Sequence, residues 1–229
     1  MKKAFISVNA INSLISSPVD WIPLKPYDKL DLPVNTHADM LIFIIGRKIF
    51  CYEEYFKQNK SIFEGLEDYE IVKIAKKCGA KYPDDIALNA LVLDKLIIAS
   101  LKHTSPEILE YAKGAGYKLI NVNQGYSACS TLVLNKDTII TADKGIYDAV
   151  IAEGKDALLI SAGGISIDQY SYGFIGGASF VIDDTVYFFG DISKHQDYEK
   201  IKGKIDSLGM KISSIMLGNV FDFGGIRLL

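Results

Sequence analysis

The sequence predicts an α/β fold of five β-β-α-β units arranged as a five-bladed propeller with pseudo-fivefold symmetry, in a single domain over residues 1–229. Three observations predict it. One grammar recurs along the chain: an apolar run headed by small or polar residues, a short polar turn, a second apolar run, a helical pattern usually stopped by Gly, and a third apolar run. The heads of these units, Asp39, Asn89, Cys129, Gly177 and Gly225, are spaced 50, 40, 48 and 48 residues apart, and 43 through the joined termini. The last unit stops after its first apolar run, and the N-terminus supplies the missing pieces. The ring is therefore expected to close with N- and C-terminal strands sharing one unit.

In that shared unit Ala4–Val8 is the expected second strand, Ala10–Ser16 a short helix and Trp21–Leu24 the third strand. The first full unit opens at His37-Ala38-Asp39, with strands Met40–Ile45 and Ile49–Tyr52 about the turn Gly46-Arg47-Lys48. Tyr52, Tyr55, Phe56, Ile62 and Phe63 recur at helical spacing, Gly65 is a helix stop and Ile71–Ala75 a third strand; a helix over Leu66–Cys78 is the alternative. The second unit reads Leu91–Leu93, turn, Leu96–Ala99. Its helix is opened by Ser105-Pro106-Glu107, which places a cap, a first-turn Pro and a first-turn acid in order. Tyr117–Val122 follows. The third reads Thr131–Leu134, turn, Thr138–Thr141, a helix capped by Asp143 and stopped at Gly154, then Ala157–Ile160. The fourth reads Ser179–Ile182, turn, Thr185–Phe189, a helix with Tyr198, Ile201, Ile205 and Leu208 on one face, then Met210–Ile215. Ile226–Leu229 ends the chain. A doubly wound dinucleotide fold fits less well, because hairpins precede the helices and Gly173-Phe174-Ile175-Gly176-Gly177 lacks the G-x-G-x-x-G spacing.

Composition narrows the function. At 49% hydrophobic with six Pro, the chain can bury a substantial core. A net charge of −3 without a basic stripe argues against nucleic acid as a partner. Three cysteines, Cys51, Cys78 and Cys129, are too few and too scattered for a disulfide framework and suit a reducing cytoplasm. No Cys/His spacing suggests zinc, and no metal or cofactor is expected. The N-terminus MKKAFISVNAINSL is not read as a signal peptide. The run Met40–Ile45 is too short to span a bilayer. Nothing in the sequence fixes an oligomeric state.

The unit grammar also says which residues converge. Each loop from third to first strand returns to the same face, as does each helix start. His37, Asp39, Tyr82, Asn89, Gln124, Tyr126, Cys129, Phe174, Ser179 and Asp222 are therefore expected to line that face, with His103, Asp143 and His195 at its rim. Among the five unit heads Cys129 alone is a thiol. It is either a nucleophile, if positive neighbours or helix N-termini lower its pKa, or a small buried residue. Alternation along a strand would point His37 and Asp39 to one side, where the His could act as acid/base. Asn89 either hydrogen-bonds a ligand or ties its loop. The aromatics Tyr126, Tyr170, Tyr172 and Phe174 surround the expected pocket.

Five such units resemble the pentein, or guanidino-group-modifying-enzyme, fold. THADM (36–40), YPDDIALNA (82–90), NQGYSACST (123–131), GFIGGAS (173–179) and DFGGI (222–226) are similar to an uncharacterised bacterial domain family of that fold. The resemblance implies a cysteine-dependent hydrolase or transferase acting on a small guanidino or amidino compound. Cys129 would be the nucleophile, His37 the acid/base, and Asp39 with Asp222 the clamp on a small cationic ligand. Asn89, Gln124, Tyr126, Phe174 and Ser179 would complete the site. A non-catalytic binding module for a small ligand or protein partner is the alternative. The arrangement departs from deiminases, whose His-x-Asp pair lies in the unit before the cysteine's; here the pair is in the first unit and Cys129 in the third.

Overall fold

The structure, a computed structural model, describes residues 2–229. In chain order its elements are β1 (Lys3–Ser7), α1 (Val8–Ile11), β2 (Asp20–Leu24), α2 (Ala38–Leu41), β3 (Ile42–Ile45), β4 (Lys48–Tyr52), α3 (Glu53–Gln58), β5 (Glu70–Ile74), β6 (Leu91–Leu93), β7 (Leu96–Ala99), α4 (Pro106–Gly114) and β8 (Lys118–Asn121). They continue with β9 (Thr131–Val133), β10 (Thr138–Thr141), α5 (Lys144–Ala152), β11 (Asp156–Leu159), β12 (Ser179–Ile182), β13 (Thr185–Phe188), α6 (Tyr198–Ser207), β14 (Lys211–Ser214) and β15 (Ile226–Leu228).

These strands form five three-stranded sheets, ordered β3-β4-β5, β6-β7-β8, β9-β10-β11, β12-β13-β14 and β15-β1-β2. In each, an antiparallel pair is followed by a parallel strand reached through helical or irregular chain. The last sheet joins the two ends of the chain: Phe5 of β1 faces Arg227 of β15. Three of the hairpins turn through a residue in the left-handed region, Gly46, Asp94 or Asp183. Gly adopts this region without penalty, and Asp tolerates it because its short side chain bonds locally.

Local chemistry explains the longer helices. Ser105 occupies the N-cap of α4 with Pro106 at its first position. Asp143 caps α5 by accepting the Ile146 N–H at 2.8 Å. Each helix buries one apolar pair spaced four apart, Ile108/Ala112, Ile146/Val150 and Ile201/Ile205. A fully buried Ile contributes about 2 kcal/mol, so each such face is held mainly by its sheet rather than by helix propensity. No helix among the described residues is long and apolar enough to cross a membrane.

Three expectations need correction. The chain from Ala38 to Leu41 is a helical turn, and the strand begins only at Ile42. Ala, Met and Leu are good helix formers, and the turn is held by Leu41 N–H to His37 O at 3.2 Å. The alternative helix over Leu66–Cys78 does not form; β5 pairs in parallel with β4 there. The N-terminal helix is one turn, Val8–Ile11, capped by the Ser7 hydroxyl, which precedes the expected start at Ala10.

Candidate functional site

The segment between β8 and β9 folds into tight turns. Ser127 Oγ donates to Gln124 O at 2.7 Å, and Ser130 N donates to Tyr126 O at 2.9 Å. Its centre is fastened by one side chain from the neighbouring unit. Asn89 Oδ1 accepts from Ala128 N at 2.9 Å and Cys129 N at 3.3 Å. The same amide turns its Nδ2 to the thiol, donating to Cys129 Sγ at 2.9 Å and lying 3.3 Å from Met40 Sδ. Asn89 therefore ties the loop and touches the sulfur at once. Cys129 Sγ in turn donates to Asp39 Oδ2 at 2.8 Å.

Asp39 stands in the first turn of α2, its own N–H bonded to Gly224 O at 3.2 Å. It is buried, and its Oδ1 has no hydrogen-bond partner. Burial pushes its carboxyl up to about 6, opposed by the charge of Arg227 and the thiol hydrogen bond. Arg227 is anchored on β3 and β15 by Nε to Ile42 O at 3.1 Å and Nη1 to Ile226 O at 3.0 Å. Burial also raises the Cys129 thiol well above its ordinary range, and the carboxylates of Asp39 and Asp222 raise it further. These shifts keep the sulfur in its thiol form, hydrogen-bonded to Asp39.

Asp222 is the second buried carboxylate. Phe174 N donates to its Oδ2 at 2.8 Å and Gly224 N to its Oδ1 at 2.9 Å. Burial first, and Asp39 second, push it up to about 7. His37 Nδ1 lies 3.9 Å from Asp222 Oδ1. This is not an ion pair, because burial pushes the imidazole down to about 3 and keeps it neutral.

The thiol, the imidazole and Asp222 open into a cavity of about 240 Å³, with Asp39 and Asn89 behind the sulfur. Cys129, His37 and Asp222 lie in its wall with Val34, Met40 and Ile167, and Tyr126, Tyr170, Ser171, Tyr172 and Phe174 complete it. The rings are mutually packed: Tyr126 to Phe174 at 6.1 Å, Tyr172 edge-on to Phe174 at 6.2 Å. Two phenols are fixed by acids, Tyr126 Oη to Asp85 Oδ2 at 2.6 Å and Tyr170 Oη to Asp31 Oδ2 at 2.8 Å.

Of the residues singled out in the sequence, the structure brings together Cys129, Asp39, Asn89, His37, Asp222, Tyr126 and Phe174. Gln124 is held aside, donating from Nε2 to Asp143 Oδ2 at 3.1 Å and accepting from Tyr126 N at 3.0 Å. Ser179 bonds Ile175 O and lines a separate cavity of about 430 Å³ bordered by β3, β6, β9, β12 and β15. Tyr82 packs on Tyr126 from outside, 5.8 Å between rings. His195 is used up by Gly163 O and Asp197 N, and Asp143 by its helix cap. His103 packs beside Tyr82, 6.4 Å between rings, away from the thiol's cavity. The lining residues Val34, Met40 and Ile167 carried no signal in the sequence beyond Met40 following Asp39. Among the described residues no group of three or more His, Cys, Asp or Glu side chains is arranged to hold a metal ion.

Solved structures with this fold include dimethylarginine dimethylaminohydrolase as an adduct with 4-chloro-2-hydroxymethylpyridine. That match has a TM-score of 0.57 at 11% identity, covering 94% of this chain and 92% of that one. The dimethylarginine dimethylaminohydrolase of Pseudomonas aeruginosa, as a cysteine-to-serine mutant complexed with citrulline, matches with a TM-score of 0.54 at 11% identity over 94% and 91%. An amidinotransferase from Microseira wollei in the saxitoxin biosynthetic pathway matches with a TM-score of 0.51 at 12% identity, over 86% and 70%. These neighbours are pentein-superfamily proteins, and the chain shares their fold. No curated protein matches the chain in sequence. The model of a family of unknown function, DUF6873, matches residues 4–227, and the chain belongs to that family.

Proposed function

We propose that the five sheets are the blades of a closed pentein ring and that the cavity over Cys129 takes a small guanidinium or amidinium cation for cysteine-dependent hydrolysis or group transfer. The observation that carries this reading is the contact of Cys129 Sγ with Asp39 Oδ2 at 2.8 Å, beside a second buried carboxylate, Asp222. A thiol and two carboxylates whose burial penalises their anionic forms are completed electrostatically by a cation. The entering guanidinium supplies the positive charge that the thiolate lacks. The three cysteines are free, and we assign the activity to the cytoplasm.

In this reading Asp39, not His37, handles the thiol proton: Sγ already donates to Asp39 Oδ2, and burial makes the imidazole a weak base, pushed down to about 3. The proton passes from Sγ to Asp39 Oδ2 as sulfur attacks the guanidinium carbon. The S–C bond forms and the C=N π pair moves onto nitrogen. Asp39 returns the proton to the departing amine as the C–N bond breaks, leaving a thiouronium cation. Attack by water then gives a urea and releases the thiol, the one proton left over passing to the departed amine as ammonium; attack by an acceptor amine gives amidino transfer and the thiol.

The test is labelling with 2-chloroacetamidine at neutral pH, read by peptide mass spectrometry. Cys129 should be modified faster than Cys51 and Cys78, because in this reading its cavity alone holds the reagent's amidinium beside the sulfur. Labelling of Cys129 no faster than a free thiol overturns the catalytic reading. A non-catalytic cation-binding module is the second reading, favoured by the protonated resting thiol. Retained guanidinium binding with an unlabelled Cys129 would establish it.

A further inference from the structure

We infer that the ligand of the Cys129 cavity is a cation with no carboxylate of its own, a guanidine or amidine whose far end is neutral or positively charged. This rests on the cation-binding reading above and narrows its substrate class.

The cavity is acidic and aromatic, with no lysine or arginine in its lining. Asp222 lies in the cavity wall, and Asp39 sits behind the thiol, reached through Cys129 Sγ. The walls are otherwise mainly aromatic and aliphatic. Two of the lining phenols, that of the exposed Tyr170 and that of Tyr126, are tied to Asp31 and Asp85, acids set behind the cavity wall. Asp85 is buried and its Oδ1 has no hydrogen-bond partner. The charges of Asp85 and Asp31 both act on Tyr170, so the two acids share one neighbourhood. Arg227, the cation that acts on Asp39, lines the other cavity. An amino-acid ligand would bring its α-carboxylate into this acidic, aromatic cavity without a lysine or arginine to receive it. Like charges set against each other discriminate between ligands. A cationic or apolar tail meets no such penalty, and the face of a tyrosine or phenylalanine ring attracts cations.

Three ligands with the same guanidinium and different tails isolate the claim: 4-guanidinobutylamine, n-butylguanidine and 4-guanidinobutanoate. Their dissociation constants would be measured by calorimetry on the full chain at pH 7.5. The amine and the butyl compound should bind at least tenfold tighter than the butanoate. In Asp31→Asn the amine's advantage over the butyl compound should shrink. Equal or tighter binding of the butanoate overturns this inference and leaves the guanidinium reading intact. Binding of none of the three overturns both. Because Asp31 is an exposed loop residue, its substitution tests the acid behind Tyr170 without disturbing the buried Asp39 and Asp222.

Discussion

Cys129 and Asp39 are ninety positions apart in the chain and 2.8 Å apart in space, with the thiol donating to the carboxylate. Their partners determine the rest of the site. Asn89 holds the sulfur from the other side, and Arg227 biases Asp39 toward its ionised form. The pair is costly: Asp39 is buried, one of its oxygens is unpartnered, and its carboxyl is pushed up to about 6.

That cost predicts a pH-dependent gain from Asp39→Asn. A carboxyl whose folded pKa lies above its unfolded value binds its proton longer in the folded state. Its favourable contribution is complete below the unfolded value of 3.8 and is lost as pH rises through about 6. Replacing it with a neutral isostere should therefore raise stability by about 1–3 kcal/mol at pH 7.5 and by little at pH 4.5. Thermal melts at the two pH values measure the difference; an equal effect at both would show that Asp39 is not the ionised group.

Cation binding should follow the opposite direction of pH. Protonated carboxyls hold no charge for a guanidinium, and Asp222 and Asp39 are pushed up to about 7 and about 6. The affinity for n-butylguanidinium should strengthen from pH 5.5 to pH 8, approaching tenfold per unit where one proton is displaced. At pH 6.5, calorimetry in buffers of different ionisation enthalpy should show proton release on binding. A flat affinity across this range would exclude both carboxylates from the cation site.

Asn89 is predicted to matter more for folding than its small size suggests. Its side chain is buried, accepts two backbone N–H groups and donates to the thiol. Asn89→Ala removes the acceptor of two N–H groups, one buried and one partly buried, at a cost of about 1–3 kcal/mol. Urea unfolding should show a lower midpoint with an unchanged slope.

How far the sequence reads through to this site varies residue by residue. Strand pairs such as Leu91–Leu93 with Leu96–Ala99 are marked by short apolar runs around an αL-tolerant Asp, which is local information. The helix starts at Ser105 and Asp143 are local too. The convergence of His37, Asp39, Asn89, Cys129 and Asp222 was legible because the repeat places unit heads together. The alternation drawn for His37 and Asp39 failed because it assumed an extended backbone. The chain instead makes a helical turn, which sends His37 toward Asp222 and Asp39 to the thiol. Gln124 and Ser179 sit near unit heads, yet neighbouring polar groups capture them, and only coordinates reveal that competition. The neutral state of His37 likewise depends on burial from several elements, which no single segment encodes.

Gly177 gives the sharpest test of packing around Asp222. A Cβ there would lie 2.0 Å from Asp222 Oδ1 and 2.5 Å from its Cγ. The carboxylate cannot yield cheaply, because Phe174 N and Gly224 N both bond it. Residue 177 is equally fixed, donating to Cys129 O at 3.0 Å and accepting from Gly225 N at 2.7 Å. Gly177→Ala must therefore break at least one of these bonds or strain the backbone that carries Cys129. It should cost about 2–4 kcal/mol and abolish guanidinium binding in whatever fraction remains folded. Gly203→Ala is the matched control. Gly203 lies inside α6 with nothing within 4 Å of the added methyl, so that change should stabilise by about 0.5–1 kcal/mol and leave binding unaltered. Urea denaturation and n-butylguanidine calorimetry on both variants measure the contrast; a fully stable Gly177→Ala with normal affinity would mean that Asp222 is not held where the site requires it.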